Sequence, residues 1–188
     1  MSPLRFVIYL PDGPTPAWVS RLLGLCAAAD ELRLVGVMRS RQAMPRPDIA
    51  ERIDGLLFDR GASLFRPLAL EGADGLPVWR QADPTAPQAQ AWLADLRCDV
   101  LLDFRPGADG LCGGPSHQWT LELDGVPALH PQAGARQVVN GQDTTTIRLR
   151  ALGSGETLDA SLGAACSFSI RRNRSEEHTS ELQSRITI

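Results

Sequence analysis

The side chain best suited to chemistry in these 188 residues is one imidazole. In GVPALHPQAG, residues 125–134, His130 follows a short apolar run and precedes a proline and small residues. A neutral histidine leaving a strand end can accept or deliver a proton near pH 7; it can equally satisfy a backbone group at the edge of a core. No ionisable residue lies within two positions of it. Cys112, in the glycine-rich GLCGGPS, has no adjacent base to make it a nucleophile, and Ser116-His117 in the same stretch reads as a surface loop. Cys26, Cys98, Cys112 and Cys166 lie far apart with no CxxC pair and no histidine at ligand spacing, so they read as buried or idle thiols, with no metal site.

Several familiar devices are missing. GxGxxG is absent, GxxxxGK[ST] requires a lysine that the chain lacks altogether, and no GxSxG elbow occurs. PDGPTP near the N-terminus is therefore ordinary turn chemistry. Arg39, Arg41 and Arg46, and the cluster Arg171-Arg172-Asn173-Arg174, read as solvated or ion-paired, since no aromatic residues interleave them into a nucleic-acid groove.

The elements that must position His130 follow from apolar patterning. RFVIYL (5–10) reads as a buried strand; Thr15 then caps a helix with Pro16 at its first position and Trp18, Leu22 and Leu25 on one face. ELRLVGVM (31–38) is a second strand, and RSRQAMPRP a loop. Asp48 and Glu51 form a capping box for IAERIDGLLF. LPVW (76–79) is a short strand. Asp83 caps a helix through AQAWLADLRC that turns Trp92, Leu93 and Leu96 inward, and DVLLDF (99–104) is a central strand. Beyond Phe104 the chain becomes loop-rich, with strands at VPAL (126–129) and TTTIRLRAL (144–152). This alternation predicts a doubly wound, mostly parallel α/β sheet of Rossmann-like type. Ligands of such sheets bind beyond the carboxyl ends of the strands, so PDGP, FRPG and LHPQAG should share one rim.

A composition of 43% hydrophobic and 22% charged residues is that of a globular domain, without a run long enough to span a membrane or a secretory pattern at the start; a cytoplasmic location is expected. Arginine without lysine, with abundant Ala, Gly and Pro, reads as GC-rich bacterial coding sequence. Residues 174–188, RSEEHTSELQSRITI, break that style and resemble a translated sequencing adapter, so the expected native unit is 1–173, a truncated gene fragment, followed by a non-native, disordered tail. Setting aside the tail's two arginines and three glutamates leaves 17 basic and 19 acidic residues. That balance gives no footprint for nucleic acid or anionic lipid.

DVLLDF, then G-V-x-x-x-His-P, then the threonine-rich TTTIRLRAL and the turn GSGETL, resemble the N-terminal domain of the formyltransferase family, which transfers a folate-borne formyl group to an amine. The opening strand followed by PAWV and the stretch FSIRRNR (168–174) resemble a bacterial branch in which this domain precedes one of the glucosamine inositolphosphorylceramide transferase type. The resemblance implies an asparagine two residues before the histidine; here stands Ala128. It implies an aspartate in the turn after the threonine-rich strand; here stand Gly155 and Glu156, with Asp159 a few residues late. A missing oxyanion donor costs about 10²–10³-fold in rate.

The resemblance thus implies a catalytically degenerate formyltransferase-like module, with His130 vestigial and without a cofactor. Its partner would be the missing C-terminal domain in cis, carbohydrate-active or glycosyl-transferring, and its ligand a small molecule or sugar. The alternative is an active enzyme using 10-formyltetrahydrofolate on an amino sugar or methionyl-tRNA, with His130 as base and Glu156 as the orienting acid. A third reading is a nucleotide-sugar domain with Arg105 at the phosphate.

Overall fold

The computed structural model describes residues 2–13, 15–43, 67–68, 75–82, 86–107, 117–130, 133 and 135–164. The expected helix at 48–58, Asp83, Cys112, Cys166 and the stretch 174–188 lie outside them. In chain order the elements are β1 (Leu4–Asp12), β2 (Thr15–Pro16), α1 (Ala17–Ala28), β3 (Leu32–Ala43), β4 (Pro67–Leu68), β5 (Val78–Ala82), α2 (Pro87–Asp95), β6 (Val100–Asp103), β7 (His117–Leu123), β8 (Val126–Pro127), α3 (Ala135–Asn140), β9 (Thr144–Ala151) and β10 (Thr157–Ala164). No helix among the described residues is long and apolar enough to cross a membrane.

RFVIYL is apolar at nearly every position because β1 is buried on both faces, the condition of an internal parallel strand. Its alternation divides the core. Phe6, Ile8 and Leu10 pack with Trp18, Val19, Leu22 and Leu23 of α1; Val7 and Tyr9 pack on the other face with Ala89 and Leu93 of α2. The main sheet has the order β10-β9-β7-β6-β1-β3-β5, with β8 added to β7. β1 pairs in parallel with β3 and β6, β3 with β5, and β6 with β7. The doubly wound, mostly parallel sheet expected from the sequence is therefore present. Asp99 stitches its centre: the Arg5 amide donates to Asp99 Oδ2 at 2.8 Å and the Asp99 amide donates to the Arg5 carbonyl at 2.8 Å.

Several local expectations change. Thr15 is not the cap of α1, which begins after Pro16 with no side-chain cap; the Thr15 hydroxyl is engaged by Arg39 instead. α2 starts at Pro87, preceded by Ala86, and RSRQA continues β3 in place of a loop. His117 opens strand β7, and VPAL shrinks to the two residues of β8, with Ala128 and Leu129 in a turn. Asp124 (φ 47°) and Gly125 (φ 79°) form the two-residue turn between β7 and β8, left-handed at both positions as a type I′ hairpin demands. β9 and β10 extend the sheet with antiparallel pairing.

Candidate functional site

The chain builds β1, β3 and β5 to one side, then crosses back to place β6 and β7 on the other side of β1. The order reverses between β1 and β6, and their carboxyl ends form the crevice where such sheets hold ligands. Leu10 to Asp12, Arg39 and Ser40, and Asp103 to Arg105 occupy this rim.

The hairpin brings His130 to it. Glu122 and Leu123 of β7 pair with β9 on one edge and with Pro127 and Val126 of β8 on the other, so β8 lies on the β6 side. β6 reaches only Asp103, and β8 runs back along β7 toward that end, its direction continued by the Ala128 amide, which donates to the Leu121 carbonyl at 2.9 Å. A tight turn follows, in which the His130 amide donates to the Pro127 carbonyl at 2.8 Å and the Ala133 amide to the His130 carbonyl at 3.0 Å. Ala128, Leu129 and Ala133 anchor this turn in the α1-side core, leaving His130 half-buried.

The helpers are placed otherwise. Ala128, only 3% exposed, fills the position two residues before His130 with a buried methyl group. Glu156 is exposed in the β9–β10 turn, where its carbonyl accepts from the Ala151 amide at 2.8 Å; Ala151 pairs with Trp119, toward the start of β7. β7 therefore lies between Glu156 and the His130 turn, and Glu156 belongs to the opposite edge of that strand. Asp159 of β10 pairs with Leu149 of β9, also beyond β7.

Two rim arginines are already committed. Arg39 donates to the carbonyls of Pro11 and Gly13, both at 3.1 Å, and to Thr15 Oγ1 at 2.6 Å, holding the end of β1 and the start of β2 against β3. Its burial lowers its pKa. Arg105 grips Asp103 through Nε, at 3.0 and 3.1 Å to the two carboxylate oxygens, and Nη2 at 2.6 Å, and lies 4.3 Å from the centre of the Tyr9 ring. Burial works against the Arg105 charge, yet the hydrogen bonds and charge of Asp103, with help from Tyr9, hold its pKa above the usual guanidinium value. The arginine expected at a phosphate is thus neutralised by a fully buried carboxylate.

A row of polar residues that the sequence reading missed crosses the sheet on the face opposite α1. Tyr9 pairs with Asp103 across β1 and β6. One further step along the β6–β7 register, after Leu102 beside Trp119, sets Thr120 next to Asp103, and Thr120 pairs with Arg150 of β9. Tyr9, Asp103 and Thr120 are 1%, 0% and 1% exposed. Glu122, 4% exposed, takes a 2.7 Å ion pair from Arg150 Nε. The Asp103–Arg105 pair is closed by hydrogen bonds, whereas Arg150 Nε meets Glu122 as an ion pair without hydrogen-bond geometry, and the Thr120 hydroxyl finds no hydrogen-bond partner among the described residues. In HQWTLEL the alternation of Thr120 and Glu122 with Trp119, Leu121 and Leu123 was the available signal.

A second missed network fixes the end of the connection that bears His130. Gln137 Nε2 donates to Thr145 Oγ1 at 2.7 Å; Thr145 donates to Asp124 Oδ2 at 3.1 Å, and the Thr146 amide to Asp124 Oδ1 at 2.8 Å. It ties α3 and the hairpin tip to β9. The thiols of Cys26 and Cys98 are pushed up to about 11 by burial, which makes them poor nucleophiles at neutral pH.

No family model and no curated protein sequence matches the chain. Solved structures do. The phosphoribosylglycinamide formyltransferase of Bacillus halodurans superposes with TM-score 0.58 at 11% identity, over 97% of this chain and 91% of that one. The glycinamide ribonucleotide transformylase 1 of Symbiobacterium toebii gives 0.57 at 13%, over 97% and 86%. The formyltetrahydrofolate deformylase of Pseudomonas putida gives 0.55 at 9%, over 98% of this chain and 64% of that one. Identities this low speak to architecture alone, and in architecture the chain is a formyltransferase-like, mostly parallel α/β fold.

Proposed function

We propose that the chain is a catalytically degenerate formyltransferase-like module, holding a small-molecule or sugar ligand for a carbohydrate-active or glycosyl-transferring domain in cis. The observation that carries the reading is Ala128. At the position where formyl transfer would need a carboxamide beside the imidazole, a methyl group is buried at 3% exposure, and the residue's amide is used within the hairpin by Leu121. An imidazole at the rim can still move a proton, but nothing at position 128 stabilises an oxyanion. Glu156, across β7, is badly placed to orient the ring, which disfavours the active alternative.

The decisive experiment supplies 10-formyltetrahydrofolate with an amino sugar or methionyl-tRNA. The expected result is no formyl transfer, in the wild type or in His130→Ala. Turnover that disappears in His130→Ala would overturn the reading. The cis partner is tested separately: the genomic sequence beyond codon 173 should continue in frame into a carbohydrate-active domain, and a stop codon directly after Asn173 would remove that part.

A further inference from the structure

We infer that Arg39 and Arg80 form a clamp for an oxyanion, a phosphate or carboxylate group of the ligand, at the carboxyl ends of β3 and β5. The inference puts a charge on the ligand of the module proposed above, and to that extent rests on that reading.

The strand register makes the two arginines neighbours. Met38 pairs with Trp79 and both pack in the α2-side cluster, so the residues that follow them, Arg39 and Arg80, turn to the α1 side of adjacent parallel strands. Leu10, the β1 partner of Arg39, packs with α1 and fixes that side. The next pair is Ser40 with Ala82, so β5 sets two residues, Arg80 and Gln81, against Arg39 alone. All of this lies at the rim where sheets of this kind take ligands.

Arg39 is fixed in place but not spent. A guanidinium has five N–H donors. Nη1 serves the Pro11 and Gly13 carbonyls, both at 3.1 Å, and Nη2 serves Thr15 Oγ1 at 2.6 Å, which leaves two donors over. One of them is Nε–H, which has no hydrogen bond among the described residues and is not sealed from solvent. Arg80 is exposed and takes part in no hydrogen bond or ion pair among the described residues.

The charges call for a negative partner. The chain as a whole carries −3, yet the one acid in β1, β3 and β5 is Asp12, facing Arg39, Arg41 and Arg80 at this rim. Burial lowers the Arg39 pKa; Asp12 works against that, and the Arg80 charge adds to it. An oxyanion between the two guanidiniums accepts charge-assisted hydrogen bonds from both and relieves their repulsion. A neutral group would leave the like charges facing each other.

The test is isothermal titration of the purified full chain with inorganic phosphate and with succinate, in chloride buffer of equal ionic strength. Saturable binding of at least one of them is expected, and which one binds identifies the oxyanion. Arg80→Gln should raise that Kd about 10–100-fold, the loss of hydrogen bonds from a charged donor. Arg80→Lys, which keeps the charge and loses the fork, should fall between. Arg33→Gln, exposed at the opposite end of β3, should bind like the wild type and controls for net charge.

The inference fails if neither anion binds saturably, if Arg80→Gln binds like the wild type, or if Arg33→Gln weakens binding as much as Arg80→Gln. It fails too if Arg80→Gln melts below the wild type without anion, since Arg80 would then serve an internal contact. Formyl transfer in the folate assay would sink the degenerate reading and leave these Kd values untouched, so the two failures are distinguishable.

Discussion

The two faces of the sheet are built from the same strands but lead to different ends. Beneath α1 the side chains of Phe6, Ile8, Leu10, Leu121, Leu123 and Ile147 form an apolar layer, joined by Phe104, whose ring meets Trp18 edge-on at 5.6 Å. On the other face Val7, Met38 and Leu101 pack under α2, but toward the carboxyl ends Tyr9, Asp103, Thr120 and Glu122 take over. Alternation along β1, β6 and β7 assigns the residues to one face or the other. One face stabilises the domain. The other tolerates buried polar groups whose burial has to be compensated pair by pair.

The sharpest way to break this contrast is Asp103→Ala, which leaves Arg105 without its buried counter-ion. Denaturant unfolding should show a loss of about 3–5 kcal/mol, and the double variant Asp103→Leu with Arg105→Leu should lose far less than Asp103→Ala, since removing a pair costs less than orphaning one member. A loss equal in the single and double variants would mean that the polar face is held by packing alone.

Next in size is a pH effect on the apolar face. Burial raises the Cys26 thiol from 9.0 to about 11, so the folded state keeps a proton that the unfolded chain gives up. That contribution is complete below pH 9.0 and disappears as the pH climbs through about 11, a swing of about 2–3 kcal/mol. Stability curves of wild type and Cys26→Ala, measured across this window, should converge by that amount as the pH rises.

The smallest effect probes how tightly α2 closes the second face. A Cβ at Gly36 would come within 2.8 Å of Leu96 Cδ1 and 2.9 Å of Trp92 Cη2. Gly36→Ala should cost about 1–3 kcal/mol by overpacking and alter the near-ultraviolet circular dichroism of the Trp79–Trp92 pair, whose rings lie 5.7 Å apart. An unchanged spectrum and midpoint would show that α2 simply shifts outward.

Legibility in the sequence followed burial. β1, β3 and β6 announce themselves as apolar runs because both of their faces are covered, and α1 and α2 by their inward stripes. β7 reads as loop in the sequence, because half of its buried side chains are Thr120 and Glu122, and polarity there marks a buried polar face, not solvent. The Asp124-Gly125 pair is a strong hairpin marker that would have separated β7 from β8 and reversed the direction of VPAL. Thr15 failed as a cap for a reason no local rule contains: Arg39, 24 residues later in the chain, takes its hydroxyl. His130 was placed at the strand ends by order alone. What order could not convey is that β7 separates it from Glu156, a relation set by pairings on the two edges of one strand.

Because β1 is paired along both edges and covered above and below, its amide hydrogens can trade with solvent deuterium only when the whole domain opens. Those of α3, a helix of six residues, need only a local fluctuation. Exchange rates along the chain should therefore rise outward from residues 6–10, tracing a stability gradient whose steep end lies under the crevice floor and whose shallow end lies in α3.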